Sequence, residues 1–330
     1  MNDNPDNPST SPAEQVEKLK RRGMVIEDEA EAKHHLRFIS YYRLRAYWDE
    51  IDIKENGVDS YRYKKDTSFN TGVSLYFFDR KLRLLVLDAI DRVEVACRAC
   101  WEQHMAGTHN IHSYLERKFY DRTKSQHNEN VDRLLRELNR SHDITDGYQE
   151  KYNRCRRWTV DPADYSLSLK VRHDNGLPPV WVAAEALSFG MLLHWIEDLR
   201  SGNDKGKIAK PFNLNRGFAS TCNNLVHVRN ICAHHGRLWD RKFEGEKKIV
   251  VGKLPKKLQE SMRGANSNRL HNTLVVLDHM LSIIAPKTGW RSRVVDLINR
   301  YDKVVSPPCN MGFPKKWRLR SAWKVDVKLP

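Results

Sequence analysis

The chain of 330 residues carries 57 Lys and Arg against 42 Asp and Glu, a formal net charge of +15. This excess favours a polyanionic partner, either a nucleic acid or a membrane surface. No apolar run approaches the ~18 residues of a membrane-spanning helix, and the N-terminal segment has neither the basic nor the apolar region of a signal peptide. These features predict a soluble cytoplasmic protein with no membrane partner.

The N-terminal part divides by composition. Residues 1–12 are mainly Asn, Asp, Pro and Ser, which predicts a disordered tail. An N-terminal helical region is predicted over 13–75, beginning near Pro12, because proline suits the first turn of a helix. A second helix and a turn are predicted over 28–49, and 59–69 is either a small hairpin or a loop.

The strongest helix signal covers 73–106, where apolar residues recur at three- and four-residue spacing. A helical core is predicted over 76–119 and 179–301. Between these parts lies a polar insertion, 120–178, with one short helix at VDRLLREL, and a basic-aromatic C-terminal arm follows over 302–330. Little of the chain alternates with period two, so the fold class is mostly α, a bundle of antiparallel helices.

Four helices are predicted in the second half of the core. An apolar helix over 180–199 follows two prolines and is interrupted near Gly190. The others cover 217–240, 268–284 and 290–301.

The segment RNICAHHGRLWDR, residues 229–241, concentrates Arg, Asn and His. On a helical wheel the core side consists of Leu225, Val228, Cys232 and His235. Asn230 and His234 point away from that side, and Arg229 lies at its border. We therefore interpret His235 as structural and His234 as facing solvent or a second subunit.

The outward set suits RNA cleavage. The guanidinium of Arg229 is always charged and binds phosphate oxygens in a fork. The imidazole of His234 can move a proton near neutral pH, and Asn230 can orient the imidazole or the phosphate. The 2′-hydroxyl of RNA is the internal nucleophile, so no metal is required and DNA is not cut. The Arg-x4–6-His spacing alone is weak, because it recurs elsewhere in this chain without the Asn.

The residues around the motif are more specific. The segment 229–241 resembles the signature of the Abi-like (AbiD/AbiF) family of abortive-infection proteins, which belong to the HEPN superfamily. Four more blocks resemble that family in its order: GMVIEDEAEAKHHLRFISYYRLRAYW (23–48), YFFDRKLRLLVLDAIDRVEVACRA (76–99), PPVWVAAEALSFGMLLHW (178–195) and MGFPKKW (311–317). The blocks extend over most of the chain.

The resemblance implies a HEPN-type helical bundle and a metal-independent ribonuclease of a phage-defence system. It assigns the catalytic positions to Arg229, Asn230 and His234. HEPN nucleases usually build the active site from two facing motifs, so a homodimer is implied. Members of the AbiF type are associated with a small non-coding RNA, which makes such an RNA, together with a target RNA, the expected partner.

Further residues are candidates for RNA contacts. They are His235, Arg237, Arg241, Lys315, Lys316, Trp317, Arg318 and Arg320. Interleaved basic and aromatic residues in the C-terminal arm can neutralise phosphates and stack bases. The alternative is an arm that packs its Trp rings on the core and extends its Lys and Arg to solvent.

No cofactor or metal is predicted. Cys97, Cys100 and His104 share one face of a helix, but a zinc site normally has four ligands, so a buried face of small residues is favoured. SGNDKGKIAK, residues 201–210, lacks the spacing of a phosphate-binding loop.

Three functions remain at this stage. The first is a HEPN ribonuclease that acts as a defence toxin. The second is a non-catalytic RNA-binding protein that forms a ribonucleoprotein with the small RNA. The third is an interaction module, which the complete set of Arg229, Asn230 and His234 disfavours. The sequence leaves the first two open.

Overall fold

In the computed structural model the described residues form thirteen α-helices and two short strands. These residues are 10–48, 52–53, 62–63, 66–121, 124–140, 178–305 and 308–324. The helices are α1 (Pro12–Arg21), α2 (Glu29–Ile39), α3 (Tyr41–Trp48), α4 (Phe69–Thr108), α5 (Lys124–Arg140), α6 (Val180–Glu185), α7 (Phe189–Glu197), α8 (Gly202–Ala209), α9 (Phe218–Ala233), α10 (Lys256–Ser261), α11 (Leu270–Ile284), α12 (Trp290–Arg300) and α13 (Asp302–Val305). Strands β1 (Asp52–Ile53) and β2 (Arg62–Tyr63) pair antiparallel. The predicted class, mostly α and bundle-like, is confirmed.

Capping residues set the first helices. Ser11 and Glu14 form a capping box at α1: the Ser11 N–H donates to the Glu14 carboxylate at 2.6 Å, and the Glu14 N–H donates to the Ser11 hydroxyl at 3.3 Å. Asp28 accepts the first backbone N–H groups of α2. The predicted disordered tail lies mostly outside the described residues. Of the predicted hairpin or loop over 59–69, residues 59–61 and 64–65 lie outside them, and the described part contains β2.

The centre of the bundle is α4, a helix of 40 residues. It corresponds to the strongest sequence signal and extends it at both ends. Its buried side includes Leu82, Val86, Ala89, Ile90 and Val93, none of which is exposed. Helices α3, α6 to α9 and α11 to α13 all contact it. One long apolar face therefore organises most of the described chain around a single element.

The apolar helix predicted over 180–199 is two helices, α6 and α7. The break lies before Gly190, at Ser188, whose hydroxyl accepts from the Met191 N–H at 3.3 Å. A serine that caps the first N–H groups of a helix defines a helix boundary more strongly than a glycine within the helix does. Gly190 itself lies within α7.

Part of the predicted insertion contributes to the core. The apolar side of α5 packs there through Val131, Leu134, Leu135 and Leu138. Residues 141–177 lie outside the described part of the chain.

The helix predicted over 217–240 is wrong at its C-terminal end, because α9 ends at Ala233. The His235 N–H donates to the Cys232 carbonyl at 3.1 Å, and the Gly236 N–H donates to the Ile231 carbonyl at 2.8 Å. This is a Schellman motif, with His235 at a left-handed φ of 57°. A Cβ on Gly236 would lie 3.1 Å from Ile231 Cγ2, so the position favours glycine.

The wheel therefore fails beyond Ala233. His235 is exposed rather than part of the core stripe, and its structural interpretation as a buried residue is wrong. The other three residues of the predicted stripe, Leu225, Val228 and Cys232, are buried as expected.

Candidate functional site

The motif residues lie at the C-terminal end of α9. Arg229 and Asn230 belong to its last turns, and His234 is the C-cap residue, with its N–H donating to the Asn230 carbonyl at 3.0 Å. Asn230 and His234 are exposed. Neither side chain has a hydrogen bond to the described residues. Both groups are therefore available to an external ligand.

Arg229 lies on a different side of α9, towards α4. Its side chain is 40% exposed, and its Nε lies 4.0 Å from Glu94 Oε2. Burial raises the pKa of Glu94, while the neighbouring Arg98 and Arg229 act in the opposite direction. The 4.0 Å separation from Glu94 orients the guanidinium without a short hydrogen bond, so its N–H groups can still bind a phosphate.

Three arginines fix the turn that follows His234. Arg43 of α3 donates to the His235 carbonyl at 2.7 Å, and Arg83 of α4 donates to the Gly236 carbonyl at 3.3 Å. Arg237 donates to the Ala46 carbonyl in return. The contacts from Arg43 and Arg83 satisfy backbone carbonyls just beyond the end of α9, and the contact from Arg237 ties the turn to α3. Arg237, a predicted RNA contact, is half-buried and acts here as an anchor of the turn.

The carboxylate of Asp79 is the central acceptor beneath this turn, and it is completely buried. It accepts from the Tyr47 hydroxyl at 2.7 Å, from the Trp239 N–H at 2.6 Å and from the Leu238 N–H at 3.1 Å. It also pairs with Arg83. Burial raises the pKa of Asp79, and Arg83 with these hydrogen bonds opposes that shift. One buried ion pair thus joins α3, α4 and the turn.

The sequence analysis assigned no role to Asp79. A signal was present, however. Leu75, Asp79, Leu82 and Val86 follow one another at spacings of four, three and four, which places a carboxylate on the apolar side of α4. A charge on a buried face requires a partner, and the partner found here is a turn about 160 residues away.

A groove of about 540 Å³ adjoins the motif. It is lined by Arg43, Tyr76, Arg80, Arg83, Leu84, Leu87, Cys232, Ala233 and His235. Its rim is basic and one wall is apolar. His235 thus lies beside three arginines, in a position compatible with the RNA contact predicted for it.

The other predicted RNA contacts are spread over two regions. Arg241 is exposed on the loop after the turn, and Lys315 and Lys316 are exposed on the C-terminal arm. Arg318 donates to Asn299 and Asp302 and lies 4.7 Å from the centre of the Trp317 ring. Arg320 is half-buried.

Trp317 is only 4% exposed, so a role in base stacking is not compatible with its position. Its ring packs against Phe313 and Trp323. The alternative of an arm that packs its Trp rings on the core is the arrangement observed. The indole ring is large, so its burial in the core contributes more to the stability of the fold than its exposure on a basic surface would.

The cysteines and His104 do not form a common cluster. Cys97 is buried against Cys222, and this neighbour together with burial raises the pKa of the Cys97 thiol. His104 turns instead to Asp204, with its Nε2 2.9 Å from Oδ1. Together with His109, these two residues form the group that could hold a metal ion within the described residues.

The fold and the site define an α-helical protein that presents Arg, Asn and His at the end of one helix, beside a basic groove. The family model of the Abi-like proteins matches residues 34–240, more than half of the chain, so the chain belongs to the Abi-like family. This membership supports a role in abortive-infection defence. Neither a curated protein nor a solved structure matches the chain.

The matched span begins in α2 and ends at Asp240, directly after the turn bound by Asp79. It therefore includes every residue that anchors the turn. Among the described residues, no helix is long and apolar enough to cross a membrane.

Proposed function

We propose that this protein is a HEPN ribonuclease of an abortive-infection system, which cleaves RNA without a metal by attack of the 2′-hydroxyl. The observation that carries the proposal is that Asn230 and His234 are exposed at the C-terminal end of α9, with Arg229 on another side of the same helix. The buried ion pair of Asp79 and Arg83 holds the turn that follows. Such an anchor keeps a catalytic group in place while its side chain stays accessible.

Each residue has a distinct role in this reaction. His234 takes the proton of the 2′-hydroxyl or gives one to the 5′-oxygen that leaves. Arg229 stabilises the charge that develops on the phosphate oxygens, and Asn230 positions the phosphate. The 2′-oxygen forms a bond to phosphorus as the bond to the 5′-oxygen breaks, which yields a cyclic phosphate and a 5′-hydroxyl.

A second imidazole would complete the acid–base pair. His227 lies on the same side of α9, seven positions before His234, which is about 10 Å along the helix. Burial lowers the pKa of His227, and Lys247 and Arg241 lower it further. At that separation the two imidazoles cannot flank one phosphorus atom. We infer that the partner imidazole is His234 of a second copy, brought in by a two-fold axis.

The surface beside the motif supports this dimer. Leu84 and Val95 on α4 are 56% and 54% exposed, and they lie three turns apart on one side of the helix, with Asp88 and Asp91 between them. Leu84 and Leu87 also line the groove next to Ala233. Exposed apolar side chains next to a half-complete site favour burial against their own image.

The RNA partner is a small non-coding RNA, a target RNA, or both, bound in the cytoplasm. The supporting observations are the net charge of +15 and the basic rim of the groove. The second candidate function is non-catalytic RNA binding, in which the same residues only hold phosphate. The ion pair between Arg229 and Glu94 favours it, because a fixed arginine is sufficient for binding.

The decisive experiment uses labelled RNA with purified protein in EDTA at 25 °C. Cleavage is expected for the wild type, and His234→Ala is expected to lose it while still binding RNA. His227→Ala is the matched control on the same helix and keeps cleavage. The DNA of the same sequence should remain intact. RNA that is bound but never cut by the wild type would establish the non-catalytic alternative.

A further inference from the structure

Two histidines converge on one carboxylate at the C-terminal end of α4. His104 Nε2 lies 2.9 Å from Asp204 Oδ1, and His109 Nε2 lies 3.1 Å from Asp204 Oδ2. One ligand atom from each of the three residues lies within 4.8 Å of the other two. His104 and His109 come from the end of α4, and Asp204 comes from the first turn of α8.

The three side chains are enclosed and held in place. They are 11%, 17% and 6% exposed for His104, His109 and Asp204. The Thr108 hydroxyl lies 3.3 Å from His104 Nδ1, which orients that imidazole from its other nitrogen. The Asp204 N–H donates to the Ser201 hydroxyl at 3.2 Å, the cap of α8. The ring of His109 packs on Phe119, with 4.1 Å between the ring centres.

We propose that His104, His109 and Asp204 bind one Zn²⁺ per chain, with a water as the fourth ligand. Two imidazole nitrogens and a carboxylate oxygen are donors that zinc accepts, at about 2.0–2.2 Å each. Ligand atoms of one tetrahedral zinc are then about 3.3 Å apart. The two imidazole nitrogens lie 2.9 and 3.1 Å from different oxygens of Asp204, and one ligand atom of each residue lies within 4.8 Å of the other two. Shifts of about 1.5 Å or less therefore bring these atoms to the spacing of a tetrahedral zinc site. Zinc binds a neutral imidazole through Nε2, so the ring proton of each histidine moves to Nδ1, and a proton is released only from a ring that was doubly protonated.

The hydrogen bond at the other ring nitrogen of His104 supports this assignment. A histidine that binds a metal usually hydrogen bonds through its other ring nitrogen, which sets the tautomer. Thr108 provides that contact. The sequence analysis grouped His104 with Cys97 and Cys100 and favoured a buried face of small residues over a metal site. These cysteines lie two turns and one turn before His104 on α4 and do not join the cluster.

The zinc has a structural role that is separate from cleavage. His104 follows Glu94, the partner of Arg229, by ten residues on α4, which is about 15 Å along the helix. The ion joins the C-terminal end of α4 to the beginning of α8, and those two helices already pack together. The proposal therefore stands whether or not the protein cleaves RNA.

Tag-free protein, first dialysed against EDTA, is titrated with Zn²⁺ in a calorimeter. One Zn²⁺ per chain is expected. At a 100-fold excess over Kd the melting temperature is expected to rise by about 5 °C, because the ion binds only the folded state. Replacement by Co²⁺ is expected to produce the visible d–d bands of a four-coordinate site. A flat titration of the wild type would overturn the proposal.

His109→Gln and Asp204→Asn keep groups that hydrogen bond but remove a zinc ligand. Both are expected to lose the high-affinity site and the rise in melting temperature. His194→Ala, an exposed histidine of α7, is the control and is expected to bind zinc like the wild type. Unchanged binding by His109→Gln, or equal loss in the control, contradicts the assignment. If circular dichroism shows that Asp204→Asn is misfolded, the zinc titration of His109→Gln decides whether the assignment holds.

Discussion

The backbone of His235 has a φ of 57°, in the left-handed region where a Cβ is unfavourable. Its carbonyl accepts from Arg43, a contact that any residue here can make. We expect His235→Gly to raise the free energy of unfolding by about 0.5–1 kcal/mol, since the relief exceeds the extra entropy of the unfolded glycine. Urea unfolding measures the change.

The matched control for this change is His234→Gly. His234 has an ordinary φ of −88°, so glycine there brings no relief and is expected to be neutral or destabilising. A His235→Gly protein that unfolds more easily than the wild type would show that the imidazole itself stabilises the turn.

His234 is expected to matter for cleavage and little for stability. Its side chain is exposed and has no hydrogen bond to the described residues. We expect His234→Ala to change the free energy of unfolding by less than about 0.5 kcal/mol and to abolish cleavage. Thermal melts and a cleavage assay on the same preparation measure both. A large drop in melting temperature would indicate that the loss of cleavage is a folding defect.

Asp79 shows the opposite behaviour, because it touches no solvent. Removing its carboxylate leaves Arg83 buried and two backbone N–H groups without their acceptor. We expect Asp79→Ala to lower the free energy of unfolding by about 3–5 kcal/mol. Asp79→Asn is expected to cost less, because the amide oxygen still accepts. Urea unfolding measures both variants.

The two Asp79 variants also test positioning. At a temperature where Asp79→Asn is folded, its cleavage is expected to fall through kcat with KM nearly unchanged, since the turn that holds His234 is loosened. Asp88→Ala is the control: Asp88 is half-buried on α4 and pairs with Arg92 and Arg293, and the change is expected to cost less than about 1 kcal/mol. Full activity of folded Asp79→Asn would contradict this role.

At the scale of elements, α11 attaches the C-terminal arm through a buried neutral histidine. His271 Nε2 accepts from the Trp323 indole N–H at 3.1 Å, and its Nδ1–H therefore donates to Asn272 Oδ1 at 3.0 Å. Burial lowers the pKa of His271 to about 4, the Asn272 contact opposes this, and Arg320 adds to it. An accepting Nε2 requires the uncharged ring.

The pKa of His271 makes the stability depend on pH. The unfolded histidine, with a pKa of about 6.5, takes up a proton before the folded one does. The contribution of neutral His271 to the free energy of unfolding is fully present above pH 6.5. It is lost as the pH falls towards 4, at about 1.4 kcal/mol per pH unit. Urea unfolding at pH 7 and pH 5 should show a larger loss for the wild type than for His271→Gln. Equal losses would indicate that other groups dominate the acid response.

At the scale of the whole molecule, the two exposed apolar residues of α4, Leu84 and Val95, test the dimer. Leu84→Glu and Val95→Glu place charges on this side of the helix without changing the core. We expect both variants to be monomers with wild-type melting temperatures and to lose cleavage. Analytical ultracentrifugation measures the mass. Phe38→Glu, at another side chain that is 71% exposed, is the control and remains a dimer.

Mixed subunits test whether the site is shared. Arg229→Ala and His234→Ala subunits are each expected to be inactive, and their mixture is expected to regain part of the activity if one intact copy of each residue suffices. An inactive mixture after proven subunit exchange excludes that arrangement. A monomer that cleaves RNA at working concentration excludes the composite site altogether.

The charge of the molecule predicts steep salt dependence of RNA binding. Each neutralised phosphate releases counterions, so the logarithm of the binding constant falls linearly with the logarithm of the salt concentration. Arg80, exposed on the groove rim, is expected to contribute one such contact. Arg80→Ala is expected to reduce the slope by about 0.7–0.9, and Arg92→Ala, whose guanidinium pairs with Asp88, is expected to change it less. Fluorescence anisotropy at several salt concentrations measures both slopes.

The sequence by itself determined the helical class, the course of α4 and the identity of the motif. Apolar spacing reports which side of a helix is buried, so 73–106 and 268–284 lie within a few residues of α4 and α11. Arg229, Asn230 and His234 lie within six residues of the chain, and a local pattern is sufficient to find them.

Only the tertiary structure decided where α9 ends and which distant groups meet there. The periodic pattern continues beyond Ala233, but Arg43 and Asp79 supply better partners for the next backbone groups than a further helical turn would. The same holds for His104 and Asp204, which lie 100 residues apart. Spacing along the chain measures only neighbours within a turn or two. Contacts over 100 residues depend on how the helices pack, because packing alone brings their side chains within bonding distance.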